Sequence, residues 1–139
     1  MTSSYRLILT AFLALTFFSC KKEAGDGGLA SIKGHVSKDL RLVLTNPASY
    51  QYTVDAADYD VYILYGDNIS PDDRVWTNYE GDFEFSNLRK GSYTVYVYSK
   101  DTTGVTGVDP DKMVIKKTVE ITERDQVLEM EDITVYDQP

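Results

Sequence analysis

The 139-residue chain is short of the residues on which nucleophilic and metal catalysis depend: it has one cysteine, Cys20, and one histidine, His35. A lone cysteine excludes a disulfide within the chain. A catalytic nucleophile wants a base and a group that orients the base, and one histidine supplies at most one of these. Zinc is equally short of ligands. Cations are scarce as well, 14 Lys and Arg against 22 Asp and Glu, for a formal net charge of −8. Nucleic-acid binding relies on clustered cations that displace counterions, so this balance argues against a nucleic-acid partner and, for the protein as a whole, against anionic surfaces. No apolar run approaches the roughly twenty residues of a bilayer-spanning helix.

The one prominent apolar run, LILTAFLALTFF from Leu7 to Phe18, follows Arg6 and precedes Ser19-Cys20. A positive start, a short apolar core and a small residue at the end make a targeting segment. The stretch LTFFSC resembles the bacterial lipobox, in which a small residue precedes a cysteine that is acylated and becomes the first residue. Phe17 and Phe18 are bulkier than the usual pattern. The resemblance implies a signal peptide over 1–19, a lipidated Cys20 with a flexible tether over 20–30, and a folded domain over 31–137. An ordinary signal peptide or a free thiol is the alternative. Acyl chains on Cys20 would tie the domain to a membrane, each buried methylene adding about 0.8 kcal/mol. The tether reading rests on KKEAGDGG, residues 21–28, whose glycines and charges bury little.

Beyond Ser31 the apolar residues alternate with period two, and Val, Ile, Thr, Tyr and Phe dominate, as strands require. SIKGHV places Ile32, Gly34 and Val36 on one face. DVYILYG reads as a central strand, with Val61, Ile63 and Tyr65 on one side and Tyr62 and Leu64 on the other. RVWTNYEGDFEFSNL reads as a hairpin turning at Glu80-Gly81, with Phe83 and Phe85 in phase. In RKGSYTVYVYSK, Tyr93, Val95 and Val97 form an inward row opposite Thr94, Tyr96 and Tyr98. KMVIKKTVEI keeps Met113, Ile115, Val119 and Ile121 in phase, with Lys117 reaching solvent at a strand edge. VLEMEDITVY changes phase between Met130 and Ile133, which predicts a β-bulge at Glu131 or Asp132. Residues 39–59 read as a long connection with one or two short edge strands. Together these strands predict an all-β antiparallel sandwich.

The stretch from Thr77 to Tyr98 resembles the carboxypeptidase regulatory-like domains, on Gly81, Phe83, Phe85, Leu88, Gly91, Tyr93, Val95 and Val97. Ile32 to Val36 and DVYILYGD look like that family's first two strands. Asn78 departs from its usual Asp, and the insert over 39–59 is longer than its usual connection. The resemblance implies a seven-stranded transthyretin-like (prealbumin-like) sandwich, an architecture attached to many functions.

Candidate sites are few. His35 should point outward by alternation. Asp55, Asp58 and Asp60, and then Asp67, Asn68, Asp72 and Asp73, gather oxygens that calcium could use, but neither cluster has EF-hand spacing. No metal or other cofactor is expected. Eleven tyrosines stand out, and Tyr62, Tyr96 and Tyr98 should share one sheet face, a composition suited to recognition as well as to plain cross-strand packing. The expected function is therefore non-enzymatic: a lipid-anchored module of a Gram-negative cell envelope, most simply at the outer membrane with its facing side open, that binds an envelope protein or a glycan or serves a structural role. An adhesion or assembly subunit pairing through an open sheet edge is the alternative. A carboxylate-dependent hydrolase is the remaining one.

Overall fold

The computed structural model describes residues 23–102 and 112–138. The expected signal peptide and Cys20 lie outside these residues. Nine strands are described: β1 (Asp26–Arg41), β2 (Tyr50–Asp55), β3 (Asp60–Tyr65), β4 (Asp73–Trp76), β5 (Asp82–Leu88), β6 (Gly91–Lys100), β7 (Lys112–Ile121), β8 (Val127–Glu129) and β9 (Ile133–Asp137). The other regular element is a 3-10 turn at Pro47–Ser49. One sheet is built around β1, with β2 and β5 on one side and β8 and β9 paired to it as well; the other runs β4-β3-β6-β7.

The predicted inward rows form the layer between the sheets. Ile32 and Val36 of β1, Val61 and Ile63 of β3, Phe83 and Phe85 of β5, and Tyr93, Val95 and Val97 of β6 are all buried, as are Ile121, Ile133 and Val135. Each such side chain contributes about 1.5–3 kcal/mol by leaving water. On β7, Met113, Ile115, Lys117 and Val119 are half-buried in the same phase, and only Ile121 is fully covered. Lys117 escapes that row by reaching the Glu131 carboxylate at 2.9 Å.

Several expectations need correction. Nine strands replace seven, because the 39–59 insert folds into a β1–β2 hairpin arm, Ser37 to Arg41 pairing with Asp55 to Tyr50, and because the last strand is broken in two. The break carries the predicted extra residue: Lys33 and Val36, three apart on β1, face Glu129 and Ile133, four apart on their partner. Those two strands run parallel to β1, so the sandwich is mixed and not antiparallel throughout.

The hairpin expected across Glu80-Gly81 is instead an arch between the sheets. Its turn is as predicted, with Asn78 Oδ1 accepting from the Glu80 and Asp82 amides and Gly81 at φ +78°. A side chain on Gly81 would lie 2.5 Å from the Val36 carbonyl, so close approach to β1 also demands glycine. Yet β4 pairs with β3 and β5 with β1. Buried Thr77 carries the crossing: its hydroxyl donates to the Ala56 carbonyl and accepts from the Tyr59 amide.

The tether expected over 20–30 is ordered from Ala24 onward. Ala24 packs against the core, the Gly25 carbonyl accepts from the Arg89 amide at 2.9 Å, and Ala30 is fully buried. Backbone hydrogen bonds and two small alanines hold this segment, which is why a hydropathy reading passes over it.

Candidate functional site

The outer face of the β4-β3-β6-β7 sheet brings the predicted tyrosines together. Registers align Arg74, Tyr62, Tyr96 and Lys116 in one row across the four strands. Beside it, Trp76 pairs with Asp60 and Tyr98 with Val114. The Tyr62 and Tyr96 rings stack, 5.1 Å apart at 15°. That separation is close to the strand spacing of about 4.8 Å, so the rings of these cross-strand neighbours stack face to face along the sheet. Tyr98 meets both at a steep angle, 5.6 Å from Tyr62 and 5.7 Å from Tyr96.

Their exposures differ. Tyr96 is 8% exposed and braces the cluster, whereas Tyr98 is 43% and Trp76 is 62% exposed. Arg74 joins the patch with its guanidinium 4.9 Å from the Trp76 ring centre and Nη1 3.4 Å from Asp60. Sequence reasoning missed Trp76, Arg74 and Val114. The signal for the first two lay in the alternation of DRVW, which the hairpin reading absorbed. Val114 is simply the out-of-phase member of β7.

The tyrosines carry a pH dependence. The Tyr59 hydroxyl donates to the Tyr98 carbonyl, and burial, then Asp137 and Asp60, push it up to about 12 from an ordinary 10.0. Tyr65 is raised by burial and by its hydrogen bond to Asp26, and Tyr96 by burial and its two ring neighbours. Because the folded values lie above the unfolded one, the contribution of these neutral phenols is complete below about pH 10 and is lost as pH rises beyond it. The melting temperature is expected to fall between pH 10.0 and about 12, with a shallower slope in Tyr59→Phe. Equal slopes in both proteins would refute the assignment.

His35 is half-buried and lies between two carboxylates, Nδ1 3.1 Å from Asp82 and Nε2 3.5 Å from Asp55. It opens onto a cleft of about 710 Å³ whose walls include Trp76, Asn78, Phe83 and Met130. The acidic clusters do not converge. Asp72 accepts from the Tyr65 amide and from Asn68, Asp60 pairs with Arg74, and Asp55 faces His35. Among the described residues no three His, Cys, Asp or Glu side chains are grouped to hold a metal.

No family model and no curated protein matches the chain. Among solved structures, a candidate carbohydrate binding protein from Pseudomonas aeruginosa aligns at 10% identity over 82% of this chain and 92% of that one, with a TM-score of 0.46. (S)-Allantoin synthase aligns at 10% identity over 80% of this chain and 43% of its own, with a TM-score of 0.39. Both likenesses are too distant to carry residues or activity across, so the candidate site stands on its own geometry.

Proposed function

We propose that the protein is a non-enzymatic module of a bacterial cell envelope, anchored by acyl chains on Cys20, built on a transthyretin-like sandwich of the carboxypeptidase regulatory-like kind, and binding an envelope polypeptide through the Tyr98–Trp76 face. The observation that carries the binding site is an exposed patch of Tyr, Trp and Arg on a sheet face that no other described element covers. These are the residue types that dominate binding energy at protein interfaces. Tyr98 and Trp76, braced by the Tyr62–Tyr96 pair, offer exposed rings with polar atoms, which suit a polypeptide surface. Edge-to-edge assembly fits less well, because β7 carries Lys112, Lys116 and Lys117, and lysines on an edge strand resist pairing.

A glycan is the second reading, favoured by the cleft where Trp76 meets the hydrogen-bonding groups of His35, Asn78 and Asp82. The two readings separate through single variants. Tyr98→Ala is expected to weaken capture of the polypeptide partner by about 30-fold or more, a hot-spot loss, without lowering the melting temperature. Glycan binding that falls with Trp76→Ala but not with Tyr98→Ala would transfer the site to the cleft. Full capture by the Tyr98→Ala, Trp76→Ala double variant would remove the face from consideration. The anchor has its own test: labelled palmitate should enter the wild type and not Cys20→Ala.

A further inference from the structure

A second cleft, of about 730 Å³, opens at the end of the sandwich where the chain enters it, among the start of β1, the β5–β6 turn and the turn after β7. Arg89, Lys90 and Arg124 line it, with Glu120 as the one carboxylate. In a chain of net charge −8 this is an unusual gathering of cations. Lys33, Lys38, Arg41, Arg74 and Lys117 are each matched to a carboxylate within the fold. Among the described residues the three cations of the cleft have no such partner.

Arg89 is the most telling of them. Its main chain is fixed on both sides, the amide donating to Gly25 and the carbonyl accepting from the Tyr93 hydroxyl. Its guanidinium lies against Gly27, and its Nε is buried with no hydrogen-bond partner. A buried Nε left unpaired is costly, and the Arg89 side chain that lines the cleft is what an acceptor from outside the chain would meet. The guanidinium fork matches a phosphate, and Lys90 and Arg124 add point charges at the rim. The turn carrying Arg124 is itself braced, because the Gln126 side-chain carbonyl accepts from the Thr122 and Glu123 amides.

We infer that this cleft binds a phosphate group, and that its occupant is the phosphate of an anionic lipid headgroup in the membrane that holds the anchor. The location rests on the lipid-anchor reading. Ala24 packs on Gly91 at this end, and the four residues from there back to Cys20 span at most about 14 Å. The cleft's cations would therefore face the headgroups.

The experiment uses the chain from residue 21 on, which contains every described strand and the whole described core, and so needs no lipid on Cys20. It is sedimented with vesicles containing phosphatidylglycerol and with vesicles of phosphatidylcholine alone. Binding to the first, weakening as salt rises, is expected. Arg89→Gln should reduce it about fivefold and Arg89→Gln with Arg124→Gln about 30-fold, each cation near an anionic surface being worth such a factor. Lys100→Gln removes the same charge elsewhere and should change little. Arg124 is exposed, so Arg124→Gln alone tests the cleft without risk to folding, and Arg89→Lys should restore some of the binding.

Absence of binding to the anionic vesicles, or an equal loss in Lys100→Gln, overturns the inference. Inorganic phosphate that binds the wild type but not Arg89→Gln, with no vesicle binding, keeps an anion site and overturns the headgroup. Because palmitate incorporation at Cys20 is measured separately, failure of the anchor reading and failure of the cleft give different results.

Discussion

Tyr93→Ala is expected to lower the stability of the domain by about 3–5 kcal/mol, the cost of emptying a large aromatic site in a packed core. Tyr93 is fully buried, and its ring meets Tyr65 edge to face at 5.6 Å. Its hydroxyl accepts from the Gly25 amide at 3.0 Å and donates to the Arg89 carbonyl at 2.7 Å. One side chain thus fills the core and ties the entering segment to the β5–β6 turn. Tyr93→Phe separates the two roles: it keeps the ring, strands one buried amide and one carbonyl, and should cost about 1–3 kcal/mol. Denaturant melts give both numbers, and hydrogen exchange at Gly25 and Arg89 should quicken in Tyr93→Phe before the core amides respond. A Tyr93→Phe protein as stable as the wild type would mean that the entering segment is held by something else.

Gly28→Ala is expected to be the second most damaging change, at about 1–3 kcal/mol. Both Asp26 and Ala30 register with Leu88 of β5, so the residues between them bulge, and a methyl on Gly28 would sit 1.8 Å from the Leu88 carbonyl oxygen. A main-chain atom in a paired strand cannot step aside as a flexible side chain would. The bulge must move, and Gly25 and Asp26 with it. The loss should appear as a lower melting temperature together with faster exchange along β1 and β5, while β3 and β6 keep their protection. An unchanged melt for Gly28→Ala would show that the bulge relaxes freely.

The interior was legible in the sequence because period-two alternation states which side of a strand faces the core. Ile32, Val36, Phe83, Phe85, Tyr93, Val95 and Val97 all lie where their phase puts them. Alternation says nothing about which strand a segment pairs with. The turn at Asn78 to Asp82 has the residues of a hairpin turn and makes its local hydrogen bonds, yet Val75 and Phe83 face the core from different sheets. Parallel pairing of β8 and β9 with β1 joins residues about a hundred positions apart and leaves no local trace.

The candidate face divides in the same manner. Tyr62, Tyr96 and Tyr98 meet because alternation put them on one side of strands that the structure makes neighbours. Trp76 and Arg74 join only through the β3–β4 register, which contradicts the local hairpin reading. The burial of Tyr96 depends on rings from an adjacent strand and is a property of the assembled sheet. The cationic cleft was hidden for a related reason: Arg89, Lys90 and Arg124 are far apart in sequence from Gly27, and the segment before Ser31 looked like tether.

The parallel pairing of β9 with β1 also sets how the domain would bear a pull. Val36 to Leu40 register with Ile133 to Asp137 in the same direction. A force drawing the chain before Ala24 one way and the chain after Asp137 the other slides these strands along each other. Their hydrogen bonds then share the load at once, where a hairpin pulled from its open end would lose its bonds singly, in sequence. Pulled from its two ends, the domain would resist first through β1 and β9, which form a mechanical clamp.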